Sequence, residues 1–262
     1  VIHFAGLKSV SESLKRPLDY WQVNVVGTIN LLSVMSKYSC RTLVFSSSAT
    51  VYENRGKNFI SEDSPIKPIN PYGNTKWTVE NILRNNYNVL KKTKFASLRY
   101  FNPIGAHPTS LIGELPIGIP ENLVPYITQT AIGKRDHLTV FGNDYDTNDG
   151  TCVRDYIHIM DLAEVHITCL EKLMNIKDNS FFNVYNVGTG KGTSVLELIN
   201  LFENVNQLKL NYKVGKRRDG DVVIAYADTS KIKKELNWTT KYSLENALKT
   251  AWNWELNINK NE

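Results

Sequence analysis

The sequence predicts an α/β protein with a doubly wound parallel sheet and a smaller α/β domain beside it. Two features support this prediction. Apolar runs of strand length alternate with segments of helical periodicity, a pattern typical of a parallel sheet covered by helices. The chain has 262 residues, of which 42% are hydrophobic. A chain of that size can bury one substantial core or two smaller adjoining cores.

Seven strands are predicted from the apolar runs. Four are well marked, at residues 1–5, 42–46, 95–100 and 182–187, and three are weaker, at 137–141, 208–214 and 222–226. The first residue is Val1 rather than Met, and Val1-Ile-His-Phe-Ala5 has the composition of a strand already under way. We therefore expect the coding sequence to extend upstream of Val1.

Five helices are predicted where apolar residues repeat at three and four positions. They cover residues 17–38, 72–90, 161–174, 194–205 and 244–256. Pro17 suits a first helical turn, and Asp161 and Ser194 suit helix starts.

The stretch 102–119 is rich in Pro and Gly and has little periodicity, which predicts a junction between domains. The first domain then covers residues 1–102 and the second mainly 103–262. Two segments, near 137–160 and 182–205, could return to the first domain.

Charge and cysteine content argue against several protein classes. The chain carries 31 Lys and Arg against 26 Asp and Glu, a net charge of +5, and residues of both signs occur in the same segments. Because the charge is so evenly distributed, we expect no nucleic-acid-binding groove and no nucleic-acid partner. No apolar run approaches the roughly 20 residues of a membrane-spanning helix. Cys40, Cys152 and Cys169 include no CxxC pair, and no histidines have His-x-x-x-His spacing. No disulfide framework and no metal site is predicted, and a reducing, cytoplasmic setting fits.

One glycine-rich segment resembles a nucleotide-binding loop without matching it. In Val187-Gly-Thr-Gly-Lys-Gly-Thr-Ser194 the glycines do not follow G-x-G-x-x-G, because Thr193 stands at the third glycine position. Gly192 also follows Lys191, where a phosphate loop needs Ser or Thr. A tight turn that packs a helix onto the sheet is the favoured interpretation, with nucleotide binding as the alternative.

The strongest chemical signal is Tyr72-Gly-Asn-Thr-Lys76 near a helix start. Residues four apart share a helix face, so the phenol and the ammonium can project into one pocket. A nearby cation favours the phenolate, so we expect Lys76 to lower the pKa of Tyr72 and to suit it to proton transfer. Ser46 to Ser48 end a predicted strand, at the edge where such sheets bind ligands. Without that context the pair would be an ordinary surface pair.

Several blocks together resemble the UDP-glucose 4-epimerase family of the extended short-chain dehydrogenase/reductase superfamily. The resemblance extends nearly from end to end and implies a Rossmann-like sheet whose opening βαβ unit, with the glycine-rich loop, would precede Val1. The blocks are Phe4-Ala-Gly-Leu-Lys8, Phe45-Ser-Ser-Ser-Ala-Thr-Val-Tyr52, Tyr72-Gly-x-x-Lys76, Arg99-Tyr-Phe-Asn-Pro-Ile-Gly-Ala-His107, Phe141-Gly-Asn-Asp-Tyr145, Asp149-Gly-Thr151, Arg154-Asp-Tyr-Ile-His-Ile-Met-Asp161 and Arg217-Arg-Asp-Gly-Asp221.

The resemblance implies roles for residues at the reacting centre. Tyr72 would be the acid/base, Lys76 would hold the nicotinamide ribose of NAD and polarise the phenol, and Ser48 would bind the reacting sugar hydroxyl. The implied cofactor contacts, besides these three, are Phe4, Ala5, Gly6, Lys8, Asn24 and Phe101.

The resemblance also implies a site for the uridine diphosphate. Arg154 and Arg218 would bind the diphosphate, which suits guanidinium groups because they donate paired hydrogen bonds and keep their charge. Asp221 would accept from the ribose hydroxyls. The remaining implied substrate contacts are Asn102, Asn122, Phe141 and Tyr156. Taken singly, Arg218 with Asp221 could instead be a solvated charged turn, and Asn122 could simply cap a helix.

The implied activity is reversible epimerisation of UDP-galactose and UDP-glucose at C4, through a transient 4-keto sugar and with tightly bound NAD. A homodimer formed through helices 17–38 and 72–90 is implied as well. One alternative is a nucleotide-sugar 4,6-dehydratase, which needs an acidic pair where this chain has Ser48, Ala49 and Thr50. Another is an inactive UDP-binding fragment that binds NAD poorly because it lacks the phosphate loop.

Substrate range depends, by the same resemblance, on the residue four positions after Asp221. That residue is Ala225, where some family members have a bulky side chain. A small side chain leaves room for an acetyl group, so UDP-N-acetylglucosamine is expected to fit too.

Overall fold

The computed structural model describes residues 1–53, 59–87, 92–177, 179–218 and 220–260. The strands are β1 (Ile2–His3), β2 (Thr42–Ser48), β3 (Lys94–Tyr100), β4 (Asn102–Ile104), β5 (Leu138–Phe141), β6 (Val153–Arg154), β7 (Tyr156–His158), β8 (Phe181–Val187), β9 (Thr193–Ser194), β10 (Tyr212–Gly215) and β11 (Ile224–Ala225). The α-helices are α1 (Val10–Lys15), α2 (Pro17–Tyr20), α3 (Gly27–Lys37), α4 (Pro71–Asn86), α5 (Leu123–Ala131), α6 (Ile159–Asn175), α7 (Val195–Asn206), α8 (Ser230–Leu236) and α9 (Leu244–Asn259).

The main sheet has four parallel strands in the order β1-β2-β3-β8. Alternate residues of each strand face opposite sides, and both sides are apolar, as in parallel sheets covered by helices. Val44 and Leu98 pack in one core with residues of α6 and α8. Leu43 and Phe95 pack in another with residues of α3 and α4. The predicted doubly wound α/β fold is confirmed.

A separate core lies beside this sheet. It unites residues of α5, α7 and α9 with β5 and β7, among them Ile127, Val140, Tyr156, Phe202 and Leu248. Strand β8 belongs to the main sheet, whereas the helix that soon follows it, α7, packs in this second core. The division of the chain into two domains near residue 102 stays a prediction.

The segment predicted as one helix at 17–38 is helical over nearly that range but is not uniform. A π-helical turn, Trp21–Val26, joins α2 to α3. Asn24 and Val25 are both buried in this turn. Widened turns of this kind are frequent at functional sites, and Asn24 is one of the residues implied to support the cofactor.

Three short helices were not predicted, namely α1, α5 and α8. Each has nine residues or fewer, too few for a helical repeat to stand out from its surroundings. Strand β4 also lies inside the stretch predicted as irregular, where it pairs with β7. These elements depend on contacts with residues distant in sequence, so the local sequence pattern does not predict them.

The ends of two other predicted elements differ from those in the structure. The predicted helix 72–90 begins at Pro71 and ends at Asn86, and residues 88–90 of that prediction lie outside the described residues. The strand predicted at 208–214 is shortened to Tyr212–Gly215, because the Leu208 N–H bonds to the Glu203 carbonyl after α7. In the part of the chain that the structure describes, we find no helix both long and apolar enough to span a membrane.

Candidate active site

The end of β2 brings three consecutive serines against α4. The backbone carbonyl of Ser46 accepts a hydrogen bond from Lys76 Nζ at 2.8 Å. Ser47 Oγ donates to Glu80 Oε1 at 2.5 Å. The Ser48 hydroxyl accepts from the Thr50 N–H at 3.2 Å and lies close enough to Tyr72 to act on the pKa of its phenol. Ser48, Tyr100 and Val187 are register partners on three neighbouring strands. This cluster therefore lies at the carboxyl edge of the parallel sheet, where such folds bind ligands.

Helix α4 starts close to that edge because of its first residues. Asn70 caps the helix by accepting from the Gly73 N–H at 2.8 Å, and Pro71 occupies the first turn. A Cβ on Gly73 would lie 2.7 Å from the Thr50 carbonyl oxygen, so only glycine allows this approach. Tyr72 is thereby placed beside Ser48.

Lys76 is a nearly enclosed cation, with 5% of its surface exposed. Its Nζ lies 5.7 Å from the centre of the Tyr72 ring and 5.0 Å from that of Phe45. Burial lowers the pKa of Lys76 to about 8, while Glu80 acts in the opposite direction. Among the described residues, Ser46 O is the one hydrogen-bond acceptor of this ammonium, so it has donors to spare for a ligand.

The expected lowering of the Tyr72 pKa is corrected here. Burial raises the pKa of the Tyr72 phenol, and the neighbouring Ser48 hydroxyl only partly offsets this effect. The cost of removing a phenolate from water is the larger of the two effects. The Tyr–Lys pair does share one helix face and one pocket, as predicted.

The loop after β1 is held in place by Asn24. Its Oδ1 accepts from the Leu7 N–H at 2.7 Å, and its Nδ2 donates to the Leu7 carbonyl at 3.0 Å and to Thr75 Oγ1 at 3.1 Å. A Cβ on Gly6 would lie 2.9 Å from Asn24 Oδ1, so the loop needs glycine there. Asn24 thus joins this loop to α4.

The other implied cofactor residues have different surroundings. Phe4 is 57% exposed and its ring packs on His166 at 4.7 Å, and Ala5 next to it is also exposed. Lys8 points to Glu114, with its Nζ 3.2 Å from Oε1. Phe101 is buried, and its N–H bonds to the Val187 carbonyl.

Four of the implied substrate residues form a second cluster, namely Phe141, Arg154, Arg218 and Asp221. Arg218 Nη2 donates to Asp221 Oδ1 at 2.6 Å, Arg154 Nη2 lies 3.6 Å from the same oxygen, and the Arg218 guanidinium lies 5.6 Å from the Phe141 ring centre. Asp221, implied to accept from a ribose, here binds both guanidinium groups. The result is two guanidinium groups that share one carboxylate, with Arg218 also lying over the Phe141 ring. Guanidinium groups are suited to binding a diphosphate.

The remaining implied substrate residues lie elsewhere. Tyr156 is buried in the second core and is the register partner of Asn102 across β4 and β7. Asn122 occupies the position before α5 but makes no side-chain cap. Its Nδ2 donates instead to Glu114 Oε1 at 2.8 Å, the atom that Lys8 also contacts. The simple capping interpretation of Asn122 is therefore wrong.

The glycine-rich turn after β8 holds a carboxylate where a phosphate would sit. Asp155 accepts from the N–H groups of Thr189, Gly190 and Ala227 at 2.8–3.1 Å. A Cβ on Gly188 would lie 2.4 Å from Asp155 Oδ2. The favoured interpretation as a tight turn is confirmed, since the amide donors of this loop are already taken.

The histidines and cysteines have ordinary structural surroundings. His158 Nδ1 accepts from the Met160 N–H at the start of α6, and its ring stacks on Tyr242. The three cysteines are free. The described ranges contain no cluster of three or more His, Cys, Asp or Glu that could hold a metal ion.

Sequence reasoning missed Glu80, Arg99 and Glu114. Glu80 lies four residues after Lys76 and eight after Tyr72, so the helical repeat that indicated the Tyr–Lys pair could also have indicated this carboxylate. Arg99 opens a block of the resemblance but was given no role. No local signal pointed to Glu114, whose contacts with Lys8 and Asn122 join distant segments.

A doubly wound parallel sheet with tyrosine, lysine and serine at its carboxyl edge, together with a separate arginine pair, defines a nucleotide-sugar enzyme of the short-chain dehydrogenase/reductase type. The sequence model of the GDP-mannose 4,6 dehydratase family matches residues 1–251. A curated relative, UDP-glucose 4-epimerase 2 of Arabidopsis thaliana, is 52% identical over 257 residues, which are 98% of this chain and 73% of that protein.

Two solved structures agree. UDP-glucose 4-epimerase of Stenotrophomonas maltophila, with bound NAD and formylated UDP-arabinopyranose, superposes with a TM-score of 0.97 at 43% identity, over 100% of this chain and 77% of that one. The enzyme of Bifidobacterium longum, in complex with NAD+ and UDP, gives 0.92 at 42% identity, with the same coverage. The chain belongs to the UDP-glucose 4-epimerase family.

Proposed function

We propose that this chain interconverts UDP-galactose and UDP-glucose by inverting C4 of the sugar, through a transient 4-keto sugar. The observation that carries the proposal is the meeting of Tyr72, Ser48 and Lys76 at the carboxyl edge of the sheet, in a chain of this family. A phenol, a hydroxyl and an ammonium in one pocket can bind a sugar hydroxyl and move its proton.

The residues at this edge fit NAD. Gly6 lets the loop after β1 lie directly against Asn24, 2.9 Å from a Cβ position. Lys76 has N–H donors without a protein acceptor among the described residues, and Phe4 exposes an aromatic ring. Lys76 would hold ribose hydroxyls, and the loop 4–8 would line the cofactor. The chemistry supplied by bound NAD would be reversible hydride transfer with the sugar carbon. Asn24 and Phe101 would support this pocket from behind.

Tyr72 would take the proton of the C4 hydroxyl and return it at the end of the turnover. The Ser48 hydroxyl, which lies beside the phenol, would bind the same sugar oxygen. Burial raises the pKa of Tyr72, so a cation in the pocket is needed to favour the phenolate. Lys76 supplies that charge.

Inversion requires the sugar to turn over while the nucleotide stays in place. Arg154 and Arg218 would hold the diphosphate, and Phe141 would pack against the nucleotide. Binding free energy gained at this distant part of the substrate keeps the intermediate bound while the sugar rotates. The UDP-binding part of the site would be completed by Asn102, Asn122 and Tyr156. Asp221 would orient both arginines.

The family model that matches this chain is described as a 4,6-dehydratase, but the residues after β2 do not favour that reaction. Ser48 ends the strand, and Ala49 and Thr50 start a short 3-10 turn. An elimination of water needs acidic and basic groups at the substrate, and none of these three residues is acidic. Epimerisation remains the better supported activity.

We further propose a homodimer in a reducing, cytoplasmic setting. Helices α2 and α3 and the π-turn between them expose a row of apolar side chains, namely Leu18, Trp21, Val26 and Ile29. An apolar row of this extent is typical of a protein interface. The free cysteines are in keeping with a reducing compartment.

The test is to incubate UDP-galactose with the purified, NAD-loaded protein, without added reductant. UDP-glucose should accumulate to an equilibrium that is also reached from UDP-glucose. A 4-keto-6-deoxy sugar as product would instead establish the dehydratase. No conversion of either sugar by a protein that retains NAD would refute both.

A further inference from the structure

A buried carboxylate lies directly behind the candidate catalytic pair. Glu80 is on the same face of α4 as Lys76, one turn further along. It has no exposed surface, and Arg99 has 1%. Arg99 donates to it twice, from Nε to Oε1 at 3.0 Å and from Nη2 to Oε2 at 2.6 Å. Two charges this deeply buried are costly to remove from water, and the chemistry proposed above leaves them unexplained.

The network around Glu80 ties α4 to the sheet. Ser47 of β2 donates to Glu80 Oε1. Arg99 of β3 donates from Nη1 to the Tyr52 hydroxyl at 2.8 Å, which donates in turn to Asn186 Oδ1 of β8 at 2.5 Å. Three neighbouring strands and one helix are thus joined by side chains whose hydrogen bonds allow little movement. Ser46 and Ser48, on either side of Ser47, are the residues that contact Lys76 and Tyr72.

Among the described residues, Glu80 is the one carboxylate whose charge acts on Lys76. His3 approaches from β1, and burial together with the Lys76 charge lowers its pKa. Tyr72 lies on the same helix, with Tyr20 of α2 at its edge and Tyr100 of β3 beside it. Glu80 is the group that raises the pKa of Lys76 against the effect of burial. A buried ammonium without such an anion loses its proton more easily.

We infer that Glu80 is a positioning residue that keeps the Lys76 ammonium charged and fixed beside Tyr72, with Arg99 and Ser47 holding its carboxylate in place. The inference rests on the proposed epimerase function, because it concerns the same pair of residues. Without the carboxylate, Lys76 loses an attraction and the Arg99 cation remains unopposed nearby. Both effects favour neutral lysine.

The test is Glu80→Gln in the NAD-loaded enzyme, with two measurements. The pKa of Lys76 is read from the ¹³C resonance of its Cε, assigned by its loss in Lys76→Arg. We expect the pKa to fall by about one unit or more. The pH at which kcat/KM declines on the alkaline side should fall by the same amount. Glu80→Asp keeps the charge and should restore both values.

The matched control is Glu255→Gln. Glu255 is also a buried helical glutamate beside a cation, with its Oε1 3.6 Å from Lys134 Nζ, but it lies on α9 in the second core. This substitution should leave the Lys76 pKa and the pH profile unchanged. A merely structural role of Glu80 would change stability in both variants without moving the Lys76 titration.

If Glu80→Gln does not fold, the double variant Glu80→Gln with Arg99→Met replaces it, because it leaves no buried charge unpaired. Of these two charges Glu80 is the one that acts on Lys76, so the pKa of Lys76 should still fall in the double variant, by less than in Glu80→Gln. An unchanged Lys76 pKa in either variant would overturn the inference. The resonance is measured without substrate, so this result is separate from the proposed function, which fails if the unsubstituted enzyme does not interconvert the two sugars.

Discussion

Lys76 Nζ donates to the carbonyl oxygen of Ser46 at 2.8 Å, which fixes the ammonium at the carboxyl end of β2. That bond places the cation one helical turn from Tyr72. Its acceptor, Ser46, lies two positions before Ser48 on β2. The other N–H donors of the ammonium have no protein acceptor among the described residues. The position of one lysine therefore links the sheet, the helix and the phenol.

Tyr72→Phe should lower kcat by a factor on the order of a hundred or more, because the phenol is the group that takes the hydroxyl proton in the proposed reaction. UDP affinity should be nearly unchanged, because the proposed diphosphate ligands, Arg154 and Arg218, belong to the second cluster and not to the Tyr72 pocket. Turnover from both sugars and UDP titration by calorimetry measure these effects. Tyr38→Phe, at an exposed tyrosine, is the control, and full turnover in Tyr72→Phe would remove Tyr72 from the mechanism.

Activity should decline as the pH rises through about 8. The pKa of Lys76 is lowered to about 8 by burial, so the ammonium is charged below that value and neutral above it. A neutral lysine no longer favours the phenolate of Tyr72. The kcat/KM profile between pH 6 and 10 checks this, on enzyme whose fold is monitored by circular dichroism. A profile flat across pH 8 would contradict it.

Arg218→Lys should weaken UDP binding by about tenfold or more, which corresponds to the loss of about 1.5–3 kcal/mol for a hydrogen bond to a charged group. Lysine cannot reproduce the paired donors of the guanidinium. Arg135→Lys, an arginine that stacks on Tyr126, is the matched control. Equal UDP affinities for the two variants would remove Arg218 from the diphosphate site.

Ala225→Tyr should reduce activity on UDP-N-acetylglucosamine more than on UDP-glucose. Ala225 ends β11 and pairs with Arg154 of β6, so a large side chain there would enter the space beside the substrate arginine. The ratio of kcat/KM values for the two sugars is the measurement. Identical ratios before and after the substitution would show that this position does not set substrate range.

Ile29→Glu should dissociate the proposed dimer, because it places a charge in the exposed apolar row of α3. Sedimentation equilibrium measures the mass, and Met174→Glu, at an exposed residue of α6, is the control. A monomer in the unsubstituted protein, or a dimer that survives Ile29→Glu, would contradict this interface.

The elements predicted best are those whose pattern is long and internally consistent. The strand at 95–100 lies within Lys94–Tyr100, and the helix at 244–256 lies within Leu244–Asn259. Helix α5 was missed because it begins with Leu-Val-Pro, has no side-chain cap and has nine residues. Its place is fixed by packing against α9, a contact between segments far apart in the chain.

Within the site, the sequence was sufficient for the pair Tyr72 and Lys76, because a helix of known repeat must bring residues four apart onto one face. It also indicated that a serine-ended strand would lie near them. It could not give the direction of the Tyr72 pKa, because that depends on how much water the folded chain removes from the phenol.

Sequence alone determined the α/β class, the pairing of Tyr72 with Lys76 on one helix face and the family, since these follow from local periodicity and from motifs read along the chain. The tertiary structure decided that Glu80 and Arg99 form a closed pair behind Lys76 and that Asp221 binds both Arg154 and Arg218. It also decided that Asp155 fills the glycine turn. The physical reason is that burial and long-range contacts set charge states, and neither exists until distant segments pack together.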